Sequence, residues 1–158
     1  MWNLKNKTIV ISGATNGIGR AAAIELIKHG PNLVFTYRNK ELADELIAEI
    51  NKDFPNSKIN SIYCDFSNQE SVRDCANKIN SICNNIDVLI NNAGVVNTSY
   101  HETLEGIENT FAVNHLGYFL LTNLVVNKMK GLKETRIINV SSAAHGFVKE
   151  IQWGDINY

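Results

Sequence analysis

The chain has 158 residues, 20% of them charged, with a net charge of −1 and Lys and Arg scattered rather than clustered. That length supports one domain able to bury roughly two thirds of its unfolded surface. The balanced charge excludes an electrostatic footprint for nucleic acid or an anionic membrane. Cys64, Cys75 and Cys83 are odd in number, lack CxxC spacing and sit in apolar-periodic segments, so reduced core thiols in a cytoplasmic protein are expected. The start, MWNLKNKTIVISG, has no signal-peptide pattern, and no apolar run approaches the roughly 18 residues that suggest a membrane span. Scattered histidines and cysteines show no metal-ligand spacing, so no metal is expected.

In chain order, KTIVIS at 7–12 is a β-branched run ending in Gly13, the pattern of a strand buried on both faces. A helix is expected from Gly17 to His29, with Ile18, Ala21, Ala22 and Leu26 inward, closed by Gly30 and Pro31. LVFTY at 33–37 is a second strand, followed by a helix whose buried face is Leu42, Ala43, Leu46, Ile47 and Ile50. A third strand spans Ile59 to Cys64. SNQE at 67–70 reads as a capping box opening a third helix, with Val72, Cys75, Ala76, Ile79 and Ile82 inward. Asp87 to Ile90 is a fourth strand, a long helix is expected from Leu104 to Met129, and Arg136 to Val140 is a fifth strand. Alternating strands and helices with short connections imply βαβ units and a parallel sheet. We therefore expect a doubly wound α/β fold of strand order 3-2-1-4-5, its ligand crevice beyond the carboxyl ends of strands one and four.

SGATNGIG at 12–19 stands between the first strand and first helix with GxxxGxG spacing. Glycines permit a sharp turn and let backbone amides approach a pyrophosphate, while the helix amino end presents free N–H groups and a partial positive charge. A tight turn that merely needs flexible residues has the same composition. The second strand ends TYRN, where an acid suits an unphosphorylated ribose and an arginine a 2′-phosphate. Arg38 occupies the region, so NADP is expected ahead of NAD.

SGATNGIGR, Asp65, NNAG at 91–94, VNHLGYFLLT at 113–122 and RIINVSS at 136–142 together resemble the short-chain dehydrogenase/reductase family, with wording similar to its retinol dehydrogenase and WW-domain oxidoreductase branch. The resemblance covers the whole chain. It implies a Rossmann-type domain and hydride transfer between NADP and a small-molecule alcohol or carbonyl substrate. It also implies that Gly13, Thr15, Asn16, Gly17, Ile18 and Gly19 hold the phosphates, Arg38 the 2′-phosphate and Asp65 the adenine, with Asn91, Ala93 and Gly94 lining the adenosine side. Asn92 is expected to tie strands together instead. Ser142 matches the serine that hydrogen-bonds the substrate oxygen, and Asn114 the helix asparagine that supports a proton-relaying water; a hydroxyl and an amide can do this without ionising. His115 and His145 lie beside these residues, but no GxSxG elbow precedes the serine to favour a Ser-His nucleophile.

The family's acid/base is a tyrosine followed four residues later by a lysine, a spacing that puts both on one helix face so that the ammonium can lower the phenol's pKa from about 10. Tyr158 is the last residue and has no residue 162 to pair with. The expectation is a dinucleotide-binding domain over 1–158, incomplete at its carboxyl end and cut before the catalytic helix. Two further readings stay open: Tyr158 as the acid, and a non-catalytic dinucleotide-binding module or pseudoenzyme. A nucleotide-sugar epimerase is disfavoured by the GxxxGxG spacing and Arg38. The resemblance implies that the 104–129 helix packs on a partner subunit, giving a homo-oligomer, and that the fifth strand is an exposed apolar edge unless more sheet follows.

Overall fold

A computed structural model of the chain describes residues 2–147, 149–151 and 153–155; Tyr158 lies outside them. Five parallel strands form one sheet: β1 Thr8–Ile11, β2 Asn32–Tyr37, β3 Lys58–Tyr63, β4 Val88–Asn91 and β5 Arg136–Asn139, in the expected order β3-β2-β1-β4-β5. Alternation along β1 divides the core. Val10 faces one layer with Val34, Leu89, Val72 and Ile79, whereas Ile9 and Ile11 face the other with Leu33, Phe35, Ala23 and Leu46. Helices α1 (Gly17–Ile27) and α2 (Lys40–Asp53) therefore cover one face. Helices α3 (Gln69–Ile82) and α5 (Gly117–Val125) cover the other. Every connection that builds the site leaves a strand at its carboxyl end.

The inward face of α1 differs from the hydrophobic one that the sequence suggests. Gly19, Ala23 and Ile27, at i, i+4 and i+8, meet the sheet, while Ala21 is exposed and Ile18 is 73% exposed. Glycine wins at the first of these positions because the helix start lies close against the glycine turn, leaving no room for a side chain there. Ile82 of α3 also points outward, at 49% exposure. Asparagines begin three of the helices: the side chains of Asn16, Asn39 and Asn68 accept from Gly17 N, Leu42 N and Ser71 N. The cap of α3 is thus Asn68, not Ser67. Ser67 instead gives its N–H and hydroxyl to Asp65 Oδ1 at 2.9 and 2.7 Å.

The long helix expected from Leu104 starts later and is not uniform. Leu104 is 96% exposed in a turn that closes through Gly106 at φ +73°. Glu108 then caps the run, accepting from Thr110 N at 2.7 Å and Phe111 N at 2.6 Å. Residues Asn109–Phe111 form the short helix α4, Ala112–Leu116 a π-helical turn, and α5 follows. The three cysteines are free and buried. Contact with the Cys75 thiol, and then burial, pushes the Cys64 thiol up, as burial does for Cys83.

Candidate nucleotide cleft

A cleft of about 520 Å³ opens at the carboxyl ends of β1, β2, β3 and β4. Gly13, Thr15, Asn16, Gly17, Ile18 and Gly19 line one side, Arg38 and Asp65 the far end, and Ala93 and Gly94 the opposite wall. Of the residues expected to hold a nucleotide, Asn91 is the exception. Its side chain turns into the interior, 1% exposed, donating to Thr122 Oγ1 at 3.0 Å and Asn139 Oδ1 at 2.7 Å. The adenosine-side role expected of Asn91 is therefore not available to its side chain in this structure. A strand residue at β4 alternates faces with its neighbours, and this one faces the helix layer.

Three glycines shape the turn for different reasons. Gly13 (φ +66°) and Gly17 (φ +52°) hold left-handed backbone that side chains rarely adopt. A Cβ on Gly13 would also lie 2.7 Å from Ala93 Cα, so the two walls touch at backbone distance. A Cβ on Gly19 would collide with Gly13 O and Asn92 Nδ2. The space in front of Gly17 is open. Two of the turn's amides are engaged, Gly13 N with Thr36 Oγ1 at 3.2 Å and Gly17 N with Asn16 Oδ1 at 2.7 Å. Those of Ile18 and Gly19 lie in the first turn of α1, ahead of its repeating bonds, where an anion finds donors and the positive end of the helix.

Asn92 fastens the walls together as expected. Its Nδ2 donates to Ser12 O and Gly13 O, both at 3.0 Å, while Ser12 Oγ accepts from Asn92 N at 2.8 Å and Ala93 N at 3.0 Å. At the far end the neighbouring cations are taken: Arg20 pairs with Glu49 and Lys40 with Asp44. Among the described residues no carboxylate pairs with Arg38, which faces the cleft from an exposed position. Asp65 keeps one carboxylate oxygen on Ser67 and is steadied by its own N–H on Ser71 Oγ at 2.9 Å.

Asn114 and Ser142 do not line the cleft. Asn114, in the π-helical turn, stands directly behind Gly94 and closes a two-bond ring with Val95, accepting from its N–H and donating to its carbonyl, both at 2.9 Å. Ser142 is exposed two residues beyond Val140, which does line the cleft, and its hydroxyl accepts from Ala144 N at 3.1 Å. His145 Nδ1 meets the Ser142 carbonyl at 2.7 Å, not the hydroxyl, and His115 stacks on Phe111 at 5.2 Å. Neither is placed to activate the serine as a nucleophile. Among the described residues no His, Cys, Asp and Glu cluster could hold a metal ion.

Sequence reasoning passed over Thr36, Phe66, Val95, Val113 and Val140, which also line the cleft, and it placed Leu42 on the buried face of α2, whereas Leu42 is 37% exposed and lines the cleft. Thr36 and Phe66 follow from the rule that ligands sit beyond strand carboxyl ends. Val113 and Val140 reach the cleft only through tertiary placement.

A doubly wound parallel sheet with a glycine-lined cleft at its carboxyl edge defines a Rossmann-type domain. The short chain dehydrogenase family model matches residues 7–154, and the chain belongs to that family. Retinol dehydrogenase 13 of Homo sapiens is 38% identical over 155 residues, covering 98% of this chain and 46% of the relative, so the chain spans about half the length of the curated relatives it matches. The similarity lies with the retinol dehydrogenase branch. Among solved structures, a metagenomic short-chain oxidoreductase in complex with NADP is similar at a TM-score of 0.78 and 29% identity, over 89% of this chain and 64% of that one. The blue fluorescent protein from a metagenomic library in complex with NADPH gives 0.77 and 27%, over 92% and 59%.

Proposed function

We propose that this chain forms the nucleotide-holding part of an NADP-dependent oxidoreductase acting on an alcohol or carbonyl substrate of the retinol dehydrogenase kind. The observation that carries the reading is the convergence of Gly13 to Gly19, Arg38, Asp65, Ala93 and Gly94 on one cleft. The residues fit a dinucleotide: the space in front of Gly17 at the amino end of α1 is open, and Arg38 is a cation lining the cleft without a carboxylate partner among the described residues. The nicotinamide group would supply the hydride acceptor or donor.

In this reading the amides of Ile18 and Gly19 bind the diphosphate, Thr15 and Asn16 flank it, and Arg38 grips a 2′-phosphate. Asp65 orients the adenine, and Ala93 and Gly94 close the wall opposite. Ser142 donates to the substrate oxygen as charge develops there. Asn114 supports proton movement behind Gly94 while keeping its hold on Val95. No tyrosine in the 158 residues has a lysine four positions later, so the acid/base pair of the family is not among them. Support for NADP over NAD comes from Arg38 and from the NADP and NADPH complexes of the two similar structures. Phe119, 64% exposed on α5, favours a second copy packing on this helix.

Isothermal titration of NADPH and NADH into this chain and Arg38→Asp tests the reading. The substitution should weaken NADPH about tenfold or more, as loss of a charged phosphate contact implies, and NADH far less. Equal loss for both removes the 2′-phosphate role, and no heat from either nucleotide with folded wild-type chain removes the cofactor reading.

A further inference from the structure

Three side chains one helical turn apart meet three alternate residues of the β4 strand and the segment after it. Asn114 exchanges two hydrogen bonds with the Val95 backbone, the Tyr118 hydroxyl donates to Ala93 O, and Thr122 Oγ1 accepts from Asn91 Nδ2. Positions 114, 118 and 122 run against 95, 93 and 91 in opposite directions. The spacing has a simple origin. Four residues of helix advance about 6 Å and two residues of extended chain about 6.6 Å, so the two periodicities stay in step over three rungs.

We propose that Asn114, Tyr118 and Thr122 form a polar ladder that fixes the Ala93–Val95 wall of the nucleotide cleft, making Tyr118 and Thr122 positioning residues for the dinucleotide. The proposal rests on the cofactor reading above. Tyr118 holds a second wall as well. Its ring meets Phe66 edge-on, with centroids 6.1 Å apart and planes at 85°, and Phe66 lines the cleft beside Asp65. The preceding residue must be small, since a Cβ on Gly117 would lie 2.6 Å from Phe66 Cδ1. The π-helical turn Ala112–Leu116 lies at the first rung, where it adds a residue to the helical circuit and sets the phase of the rungs that follow. On its β1 side this wall is held by the Ala93 N–H on Ser12 Oγ at 3.0 Å and by the Asn92 bonds, so the ladder supplies the support from the helix side. Ala93 and Gly94 have no side chain long enough to anchor them, and Ala93 abuts Gly13 across the cleft, so any drift of this wall is felt at the glycine turn.

The test measures NADPH affinity and backbone amide exchange in the same variants. Tyr118→Phe keeps the ring on Phe66 and removes the rung; Thr122→Val removes its hydroxyl at nearly constant volume, and Thr122→Ser restores it. Asn123→Ala, on the solvent side of the same helix, is the control. Loss of one neutral hydrogen bond predicts NADPH binding weaker by about fivefold in Tyr118→Phe and Thr122→Val. Exchange at Val95 should be faster in both, with wild-type values in Thr122→Ser and Asn123→Ala. Wild-type affinity in Tyr118→Phe and Thr122→Val overturns the positioning role. Equal weakening in Asn123→Ala and Thr122→Ser also overturns it, because the effect would then belong to the helix as a whole. If wild-type chain binds no NADPH, the cofactor reading falls and the positioning role with it, while unchanged exchange at Val95 would separately show that no ladder restrains the wall.

Discussion

β1 and β5 read alike as short apolar runs, TIVI and RIIN, yet they live in opposite environments. β1 has a strand on each side and a helix layer on each face, and Ile9, Val10 and Ile11 are wholly buried. Among the described residues β5 pairs only with β4, and every one of its residues is exposed, with Ile137 and Ile138 each at 43%. Arg136 at its start lies 4.3 Å over the centre of the Trp2 ring. The difference teaches that an apolar run states a capacity for burial, and that neighbours decide whether it is used. Among the described residues β5 is therefore an edge with open backbone groups and an apolar surface, the combination that invites pairing with other chains.

Breaking the interior side of this contrast should give the largest effect. Leu89→Ala in β4, at a fully buried position, should cost about 2–5 kcal/mol in urea unfolding, the range for emptying a packed leucine site. Gly19→Ala comes next. Its new methyl meets Gly13 O and Asn92, so a loss of about 1–3 kcal/mol is expected by the same measurement, accompanied by weaker NADPH titration.

A smaller, pH-dependent term sits at Glu108. Burial pushes its carboxyl up, but the bonds from the Thr110 and Phe111 amides outweigh that, and the group ends below its ordinary value. A lowered folded-state pKa means that the stabilisation is complete above the ordinary carboxylate range and disappears as pH falls through the lowered value. Glu108→Gln should therefore cost about 1 kcal/mol near neutral pH, with the gap to wild type closing in acid; a constant gap would assign the effect to packing. Least of all, Ile137→Lys on the edge should change unfolding by about 0.5 kcal/mol or less while reducing self-association in light scattering. A large loss of stability there would mean that β5 is covered in solution.

The architecture was legible because β-branched runs, helical periodicity and glycine punctuation agree with one another along the chain. The cleft was legible for a related reason: strand carboxyl ends collect the turns, so Gly13, Arg38, Asp65 and Ala93 converge once the strand order is known. What escaped depends on distances that sequence does not carry. Ile18 is the most apolar choice for the inward face of α1, yet Gly19 takes it because only an absent side chain clears Gly13 and Asn92. SNQE has a capping-box spelling, but Ser67 is drawn to Asp65 and leaves the cap to Asn68. Nothing in AVNHL marks a π-helical turn, and no property of Asn91 alone says that it turns from the cleft toward Thr122 and Asn139.

The bonds from Asn92 to Ser12 cross 80 residues of chain. Closing so long a loop is an entropic cost met only when β1 and β4 have both docked, so the proposed nucleotide-binding surface exists only in chain whose two central strands are paired. A ligand that seats there has nothing to recognise in partly folded chain and draws the equilibrium toward the finished domain by mass action. Occupancy of the cleft thus doubles as a report that the sheet is assembled.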